Sequence, residues 1–442
     1  MAQKPDLILI SVDTLNRGAL RAFNPDAGEL PVFDELAARS RRFSDAVSVA
    51  SWTLPAHGSM LSGVYPDRHG GIAGGRKLDS EVPLLAECLH RAGYDTAGFT
   101  GGGFLHHKFG FDRGFDVYDD SSEAQRRGED PDTAKAPKER RSGHIYRRAI
   151  EFLSGRPHRD DKPLFLFAHT YVVHDYFKAH PWALERVGEF PDRGRRGYRR
   201  CQTDVHECTP GEWRRLGALY RAEIEHLDER LGMLLEALDD GGYLEHAYVV
   251  LLADHGEGFD PEHGRIHHGG RVNADVVRIP MLVSGPGVEP GDESRPVSLV
   301  DITPTLTDLA GAVCGSSQGF DGESFAASLD GHGPRPERRT LYAMEHSHLW
   351  PDGVKTALEP VPRVPALLAA IRGERWYIGG AAGEELYDMA DDPLQYHNLA
   401  PAAPEVEGFR RQVEERLSHS APDTDRVQDE ELERQLRSLG YL

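Results

Sequence analysis

Short runs of nearly unbroken apolar residues set the strongest limit on what this chain can fold into. The first, DLILISV at residues 6–12, ends in Asp13. A strand with one wet face alternates apolar and polar side chains, whereas a strand covered on both faces has no such need, and that pattern belongs to parallel sheets sandwiched by helices. Similar runs lie at 95–100, 163–169 (PLFLFAH), 247–254 (AYVVLLAD) and 279–285 (IPMLVSG). Helical patterns lie between them. From Glu212 to Asp239 the residues Leu216, Leu219, Ile224, Leu227, Leu231, Leu234, Leu235 and Leu238 recur at helical spacing, and two glycines follow as a stop signal. Strand alternating with helix implies an α/β fold with a doubly wound, mainly parallel sheet. Ligands of such sheets bind beyond the carboxyl ends of the strands, so Asp13, His169 and Asp254, each closing a strand, are expected to face one crevice.

After about Ala310 the pattern changes to short segments, TLYAME, AAIRGERWYIGG and EELYDMADDP, which read as hairpin strands of a smaller antiparallel unit. The expected division is a catalytic α/β domain over 1–310 and a smaller C-terminal α+β subdomain over 311–442, packed on the core. The Arg-rich, poorly periodic stretches from Ser121 to Gly143 and from Glu185 to Pro210 read as surface insertions. With 72 acidic against 51 basic residues the formal charge is -21, which repels phosphate backbones and anionic lipid and argues against nucleic acid as a general partner. No apolar run approaches the ~20 residues of a membrane span, and a cytoplasmic location is the default expectation. Cys88, Cys201, Cys208 and Cys314 are scattered and form no CxxC pattern. They are expected to be plain thiols, with Cys201 and Cys208 the one pair the sequence suggests.

Two carboxylates and an imidazole at strand ends, Asp13, Asp254 and His255, suit a divalent ion, with zinc, manganese and calcium the candidates. Taken singly, either aspartate could merely cap a helix. The segment ADHGEGFDPEHGRIHHGG strengthens the metal reading, because it gathers His255, His263, His267 and His268 with Asp254, Glu257, Asp260 and Glu262 among glycines, a density of charge no packed core requires. In SVASWTLPAHGSMLSGVYPDRHG, Thr53 stands two residues before a proline, with His57 and a helical run after it. Ser51 or Thr53 could serve as a helix cap; the same geometry would also present a hydroxyl to the positive helix end, where an anionic ester binds. A metal against the Thr53 oxygen would lower its pKa and produce a nucleophile at neutral pH. Thr100, Gly101 and Gly102 close another strand and read equally well as pocket lining or a tight turn. Lys108 and Arg113 could meet an anionic substrate or make surface ion pairs.

The chain resembles the sulfatase branch of the alkaline phosphatase superfamily over nearly all its length. The matching segments are SVDTL, SWTLPAHGSMLSGVYP, GFDRGFDVYDD, ADHGEGF with HHGG, VRIP, VDITPTLTDLAG, ELYDMADDPLQYHNLA and RSLGYL. Family sulfatases carry CxPxR or SxPxR, whose first residue becomes formylglycine, and this chain reads TxPxH at Thr53 to His57. That spacing is similar to nucleotide pyrophosphatases and phosphodiesterases of the same superfamily, which use an unmodified threonine. The resemblance implies an alkaline-phosphatase-like fold, a metal ion held by Asp13, Thr53, Asp254 and His255, and a catalytic set of Thr53, His57, His174 and His268, without formylglycine. The second aspartate usual after Asp13 is Thr14 here. A second ion would draw on His169, His174 and Asp175, although Val172 stands where many relatives have an aspartate; otherwise His174 and His268 bind substrate and protonate the leaving oxygen. The expected function is cleavage of a small anionic phosphate or phosphonate ester through Thr53. The alternatives are sulfate ester hydrolysis, phosphotransfer to an alcohol, and a non-catalytic metal-binding role.

Overall fold

The computed structural model describes residues 3–72, 75–120, 144–156, 162–188, 208–314, 319–333, 339–346, 362–380, 383–427, 429–430, 432 and 436. Its centre is an eight-stranded sheet made of β1 (Asp6–Val12), β2 (Arg41–Phe43), β4 (Asp95–Phe99), β5 (Val117–Asp119), β6 (Leu164–Thr170), β7 (Ala247–Ala253), β11 (Met281–Ser284) and β12 (Gly291–Glu293), in the order β12-β2-β11-β7-β1-β6-β4-β5. Strand β1 pairs in parallel with β6 on one side and β7 on the other. Every residue of β1 and β6 is buried, which is why their sequences need not alternate. The register sets Ser11 beside both His169 and Leu252, and Val12 beside Thr170 and Ala253. Asp13 and Asp254 therefore leave the sheet at the same level.

The run 279–285, expected as one strand, is divided by Pro280. Its first part, β10 (Arg278–Ile279), joins β3 (Ala46–Val47) and β13 (Val297–Ser298) in a separate three-stranded sheet, while β11 lies antiparallel to β7. Proline has no N–H to give a ladder, so the strand changes partners there. The residue pairs 259–260 and 265–266 form a small hairpin of β8 and β9 in the histidine-rich loop.

Helices cover both faces. Four matter below or in the packing: α1 (Pro31–Ala38), α2 (Thr53–Ser62), α3 (Pro66–His69) and α4 (Leu85–Arg91). The long helix Pro210–Asp240 starts on a capping box in which Thr209 accepts from the Glu212 amide and Glu212 reaches back to Thr209, and it buries the leucine stripe read from the sequence. The small sheet is antiparallel, in the order β14 (Leu341–Glu345), β15 (Leu367–Arg372), β16 (Arg375–Gly380), β17 (Gly383–Asp388), and the helix Val406–Leu417 packs against it. Met344, Leu368, Ala370 and Tyr377 of these strands share one hydrophobic core with the large sheet.

The expectation of plain thiols is overturned. Cys88 in α4 and Cys314, just beyond the helix Ile302–Leu309, are disulfide-bonded with Cα atoms 5.0 Å apart, although 226 residues separate them. Scatter along the sequence said nothing about distance, because these two helices pack on each other. Cys208 is also disulfide-bonded; Cys201 lies outside the described residues, as do both expected insertions for the most part and the terminal RSLGYL. No helix among the described residues is long and apolar enough to cross a membrane.

Candidate active site

The carboxyl ends of β1, β6 and β7 bring Asp13, His169 and Asp254 together as the topology predicts. The Asp254 carboxylate is oriented by the backbone: its Oδ1 accepts from the His255 amide at 2.8 Å and the Thr14 amide at 3.3 Å. Thr14 adopts a left-handed φ of 58°, uncommon for a β-branched residue, and its carbonyl accepts from the Tyr220 hydroxyl at 2.7 Å. Thr14 thus serves to turn the chain and to supply an amide to Asp254.

His255 Nδ1 lies 3.1 Å from its acceptor, the Gly256 carbonyl, which assigns the proton to Nδ1 and leaves a lone pair on Nε2. That lone pair faces Asp13 Oδ1 and Asp254 Oδ2, each at 3.6 Å. All three side chains are fully buried, and neither Asp254 Oδ2 nor His255 Nε2 makes a hydrogen bond. A lone pair cannot bond a carboxylate oxygen, so these donors repel one another unless a cation lies among them. Burial and the Asp13 charge push the Asp254 carboxyl well above the carboxylate range, and burial holds His255 down at about 3. A divalent ion reverses the first effect and benefits from the second, since it needs a neutral imidazole. The residues present fit a metal ion.

Thr53 is the first residue of α2, and the side chain of the cap residue Trp52 makes no capping hydrogen bond to the helix. The Thr53 hydroxyl does not cap the helix; it points at Asp13 Oδ2, 3.3 Å away. Ser51 does not cap it either, since its hydroxyl donates to Glu345. The start of α2 is therefore directed at the metal cluster with its positive end unclaimed by a side chain.

His57 lies one turn along α2. Its Nδ1 is 2.9 Å from the Thr53 carbonyl and its Nε2 is 2.9 Å from Ser11 Oγ, which in turn lies 3.2 Å from His169 Nδ1. The partners assign donors in sequence: His57 Nδ1–H to the carbonyl, Ser11 O–H to His57 Nε2, and His169 Nδ1–H to Ser11 Oγ. Both nitrogens of His57 are thus engaged, and burial holds its pKa down at about 4. His169 is left with an Nε2 lone pair 3.8 Å from Asp13 Oδ2, and it groups with His57 and Asp254 as a possible ligand set. Sequence reasoning found His57 and His169 but not Ser11, the hydroxyl that fixes both rings.

Of the second-ion set anticipated from the sequence, His174 and Asp175 stay together, His174 Nδ1 lying 3.8 Å from the Asp175 oxygen that Lys178 meets at 2.5 Å, but His169 turns to the first cluster instead of joining them. What gathers instead is Glu257 with His267 and His268, whose Nδ1 atoms lie 3.4 and 3.3 Å from the two oxygens of that carboxylate. His268 is buried between His255 and His174, with ring centroids 4.6 and 5.5 Å apart. Glu257 orients the ring, and its acidic place in the loop was the only hint the sequence offered. Lys108 and Arg113 are spoken for: Lys108 meets Asp429, and the Arg113 guanidinium bonds the carbonyls of Gly110, Ser80, Asp79 and Val82.

Comparison with known proteins decides the family. The family model described as Sulfatase matches residues 5–312. The chain belongs to the sulfatase family. It is 28% identical to the choline-sulfatase of Rhizobium meliloti, over 90% of this chain and 82% of that protein. Among solved structures, a 2-O GAG sulfatase superposes with a TM-score of 0.74 at 19% identity, covering 98% of this chain and 96% of that one. The phosphonate monoester hydrolase of Agrobacterium radiobacter does so equally, with a TM-score of 0.74 at 20% identity over 94% and 95%. This sulfatase-family chain is accordingly an ester hydrolase with an alkaline-phosphatase-like α/β fold. Enzymes of the family bind a divalent metal, in keeping with the buried donors around Asp254.

Proposed function

We propose that this sulfatase-family enzyme hydrolyses a phosphate or phosphonate ester, with Thr53 as an unmodified nucleophile. The observation that carries the reading is the Thr53 hydroxyl at the start of a buried helix, 3.3 Å from Asp13, which itself clusters with Asp254 and His255. Asp13, Asp254, His255 and the Thr53 oxygen would hold the ion, which when bound lowers the pKa of the hydroxyl and neutralises charge on the ester. Zinc, manganese and calcium all accept this mixed oxygen and nitrogen set. The amides at the start of α2 bind the anionic ester oxygens. The Thr53 hydroxyl proton passes to Asp13 Oδ2 as the Oγ–P bond forms in line and the ester P–O bond breaks, and His268, protonated against the Glu257 carboxylate, gives its proton to the departing oxygen with His174 beside it. Water then attacks the phosphothreonine and gives a proton back to His268, the Oγ–P bond breaks, and Asp13 returns the proton that regenerates the threonine. His57 supports this arrangement through Ser11 and the Thr53 carbonyl.

Phosphorus is preferred to sulfur on chemical grounds. A formylglycine hydrate expels sulfate by collapsing to the aldehyde, and a threonine ester has no such exit. Sulfate ester hydrolysis stands as the second reading because the curated relatives include a choline-sulfatase and an ulvan-active sulfatase. Transfer to an alcohol in place of water would use the same residues.

Nitrophenyl phosphodiester, phosphonate, phosphomonoester and sulfate substrates separate these readings. Phosphodiester and phosphonate should be turned over best, Thr53→Ala should abolish turnover with its metal retained, and Thr53→Ser should keep part of it. After disulfide reduction the intact mass should equal that of the encoded chain. Activity on sulfate esters alone, or full turnover by Thr53→Ala, refutes the reading.

A further inference from the structure

The small C-terminal sheet sends one carboxylate into the catalytic face of the large one. Strand β14 runs beside the loop that leads into α2: the Met344 amide donates to the Val49 carbonyl at 2.7 Å. The next residue, Glu345, is 2% exposed. Its Oε2 accepts from the Ser51 hydroxyl at 2.6 Å and from the Gly270 amide at 3.3 Å. Ser51 stands two residues before Thr53, and Gly270 two residues after His268. A single oxygen atom therefore ties the segment carrying the nucleophile to the segment carrying the imidazole.

Burying a carboxylate is costly, and an apolar residue would close the same space without that cost. The site of the charge suggests what it is for. Neither donor comes from the metal cluster itself, and Ser51 and Gly270 intervene between Glu345 and the reacting groups. We propose that Glu345 is a positioning residue: it sets the distance between Thr53 and His268 by holding both loops on one acceptor, and so makes the C-terminal sheet a part of the active site. The inference rests on the reading of Thr53 as nucleophile. Attacking and protonating groups must be placed to within a fraction of an ångström, and a displacement of about 1 Å can cost on the order of a hundredfold in rate.

The test uses the full-length, metal-loaded chain and the variants Glu345→Ala, Glu345→Gln, Ser51→Ala and the Glu345→Ala/Ser51→Ala double variant. Two readouts are taken: hydrogen exchange of peptides covering 48–56 and 266–272, and kcat and KM on a nitrophenyl phosphonate. In Glu345→Ala, exchange should quicken in both segments and kcat should fall by about ten- to a hundredfold with KM little changed. Ser51→Ala should quicken exchange in 48–56 alone, because the Gly270 bond survives. The double variant should be no worse than Glu345→Ala, as expected of partners in one interaction. Glu345→Gln should restore most of the rate and protection, since an amide oxygen accepts both bonds.

Unchanged exchange in Glu345→Ala overturns the proposal, and so does a Glu345→Gln variant as impaired as the alanine variant, which would show that the charge itself is used. Should Glu345→Ala fail to fold, Ser51→Ala and Glu345→Gln decide by the same two criteria. If the wild-type chain turns over no ester, it is the nucleophile reading that fails, and the exchange measurements still decide whether Glu345 joins the two loops.

Discussion

Replacing Gly58 with alanine tests how tightly α2, which starts at the proposed nucleophile Thr53, is seated. All ten residues of α2 are buried, and a Cβ at Gly58 would lie 2.5 Å from His69 Cε1 and 2.9 Å from both ring nitrogens. His69 cannot simply step aside. It is itself buried, its Nδ1 accepts from the Gly71 amide at 3.1 Å, and its Nε2 lies 3.1 Å from Ser59 Oγ. In an unobstructed helix the substitution gains about 1 kcal/mol from backbone entropy. Here overpacking costs about 1–3 kcal/mol, and moving the ring forfeits up to two hydrogen bonds worth about 1 kcal/mol each. The sum is a net loss of about 2 kcal/mol. Urea denaturation should show a lower midpoint at an unchanged slope, with ester turnover reduced because Thr53 begins the same helix. A Gly58→Ala chain that is equally stable or more stable, with full activity, would refute the claim that His69 fixes α2 from below.

Other consequences can be checked alongside. Burial alone would raise the Asp175 carboxyl, but Lys178 and a hydrogen bond from His174 bring it down to about 2; a depressed carboxylate stabilises the fold fully above its unfolded pKa and loses that contribution as pH falls from about 4 to 2. Asp175→Asn should therefore cost about 2 kcal/mol at pH 7 and about half as much at pH 3, read from denaturation at the two values. Asp254→Asn should lower stoichiometric metal content measured on the purified chain, and unchanged content would remove Asp254 from the ligand set. His268→Ala should slow esters with poor leaving groups more than nitrophenyl esters, and an equal loss on both would mean that the ring does not donate the proton.

What could be read from the sequence was whatever is written locally. Strands covered on both faces announce themselves in a few residues, and the rule for parallel sheets then placed Asp13, His169 and Asp254 at one edge before any distance was known. Partnership across the chain was not readable. Ser51 and Glu345 are 294 positions apart, and Cys88 and Cys314 pair because two helices happen to pack. Ser51 and Thr53 were equivalent as hydroxyls near a helix start, and only the structure shows one turned to Glu345 and the other to Asp13. For His57 the motif named the residue, but its use of both ring nitrogens could not be known without Ser11, which lies in an apolar strand and looks like filler. Asp175 sat in a promising segment and was claimed by Lys178, a neighbour that composition alone does not rank above a metal.

The pairing of β1 with β7 has a kinetic meaning. Thr14 and Asp254, which meet at the cluster, are 240 positions apart, so no N-terminal portion of the chain ending before β7 contains the site. Contacts of that span are formed against a large loop-closure cost and come late in folding. An ion cannot template the early stages, because Asp13 alone offers it one carboxylate. It can only reward the finished sheet, where a slip of one residue in β1 would turn its side chains to the opposite face and scatter the donors. On the proposed ligand set of Asp13, Asp254 and His255, an ion would be captured only after correct strand registration and would then slow escape from it.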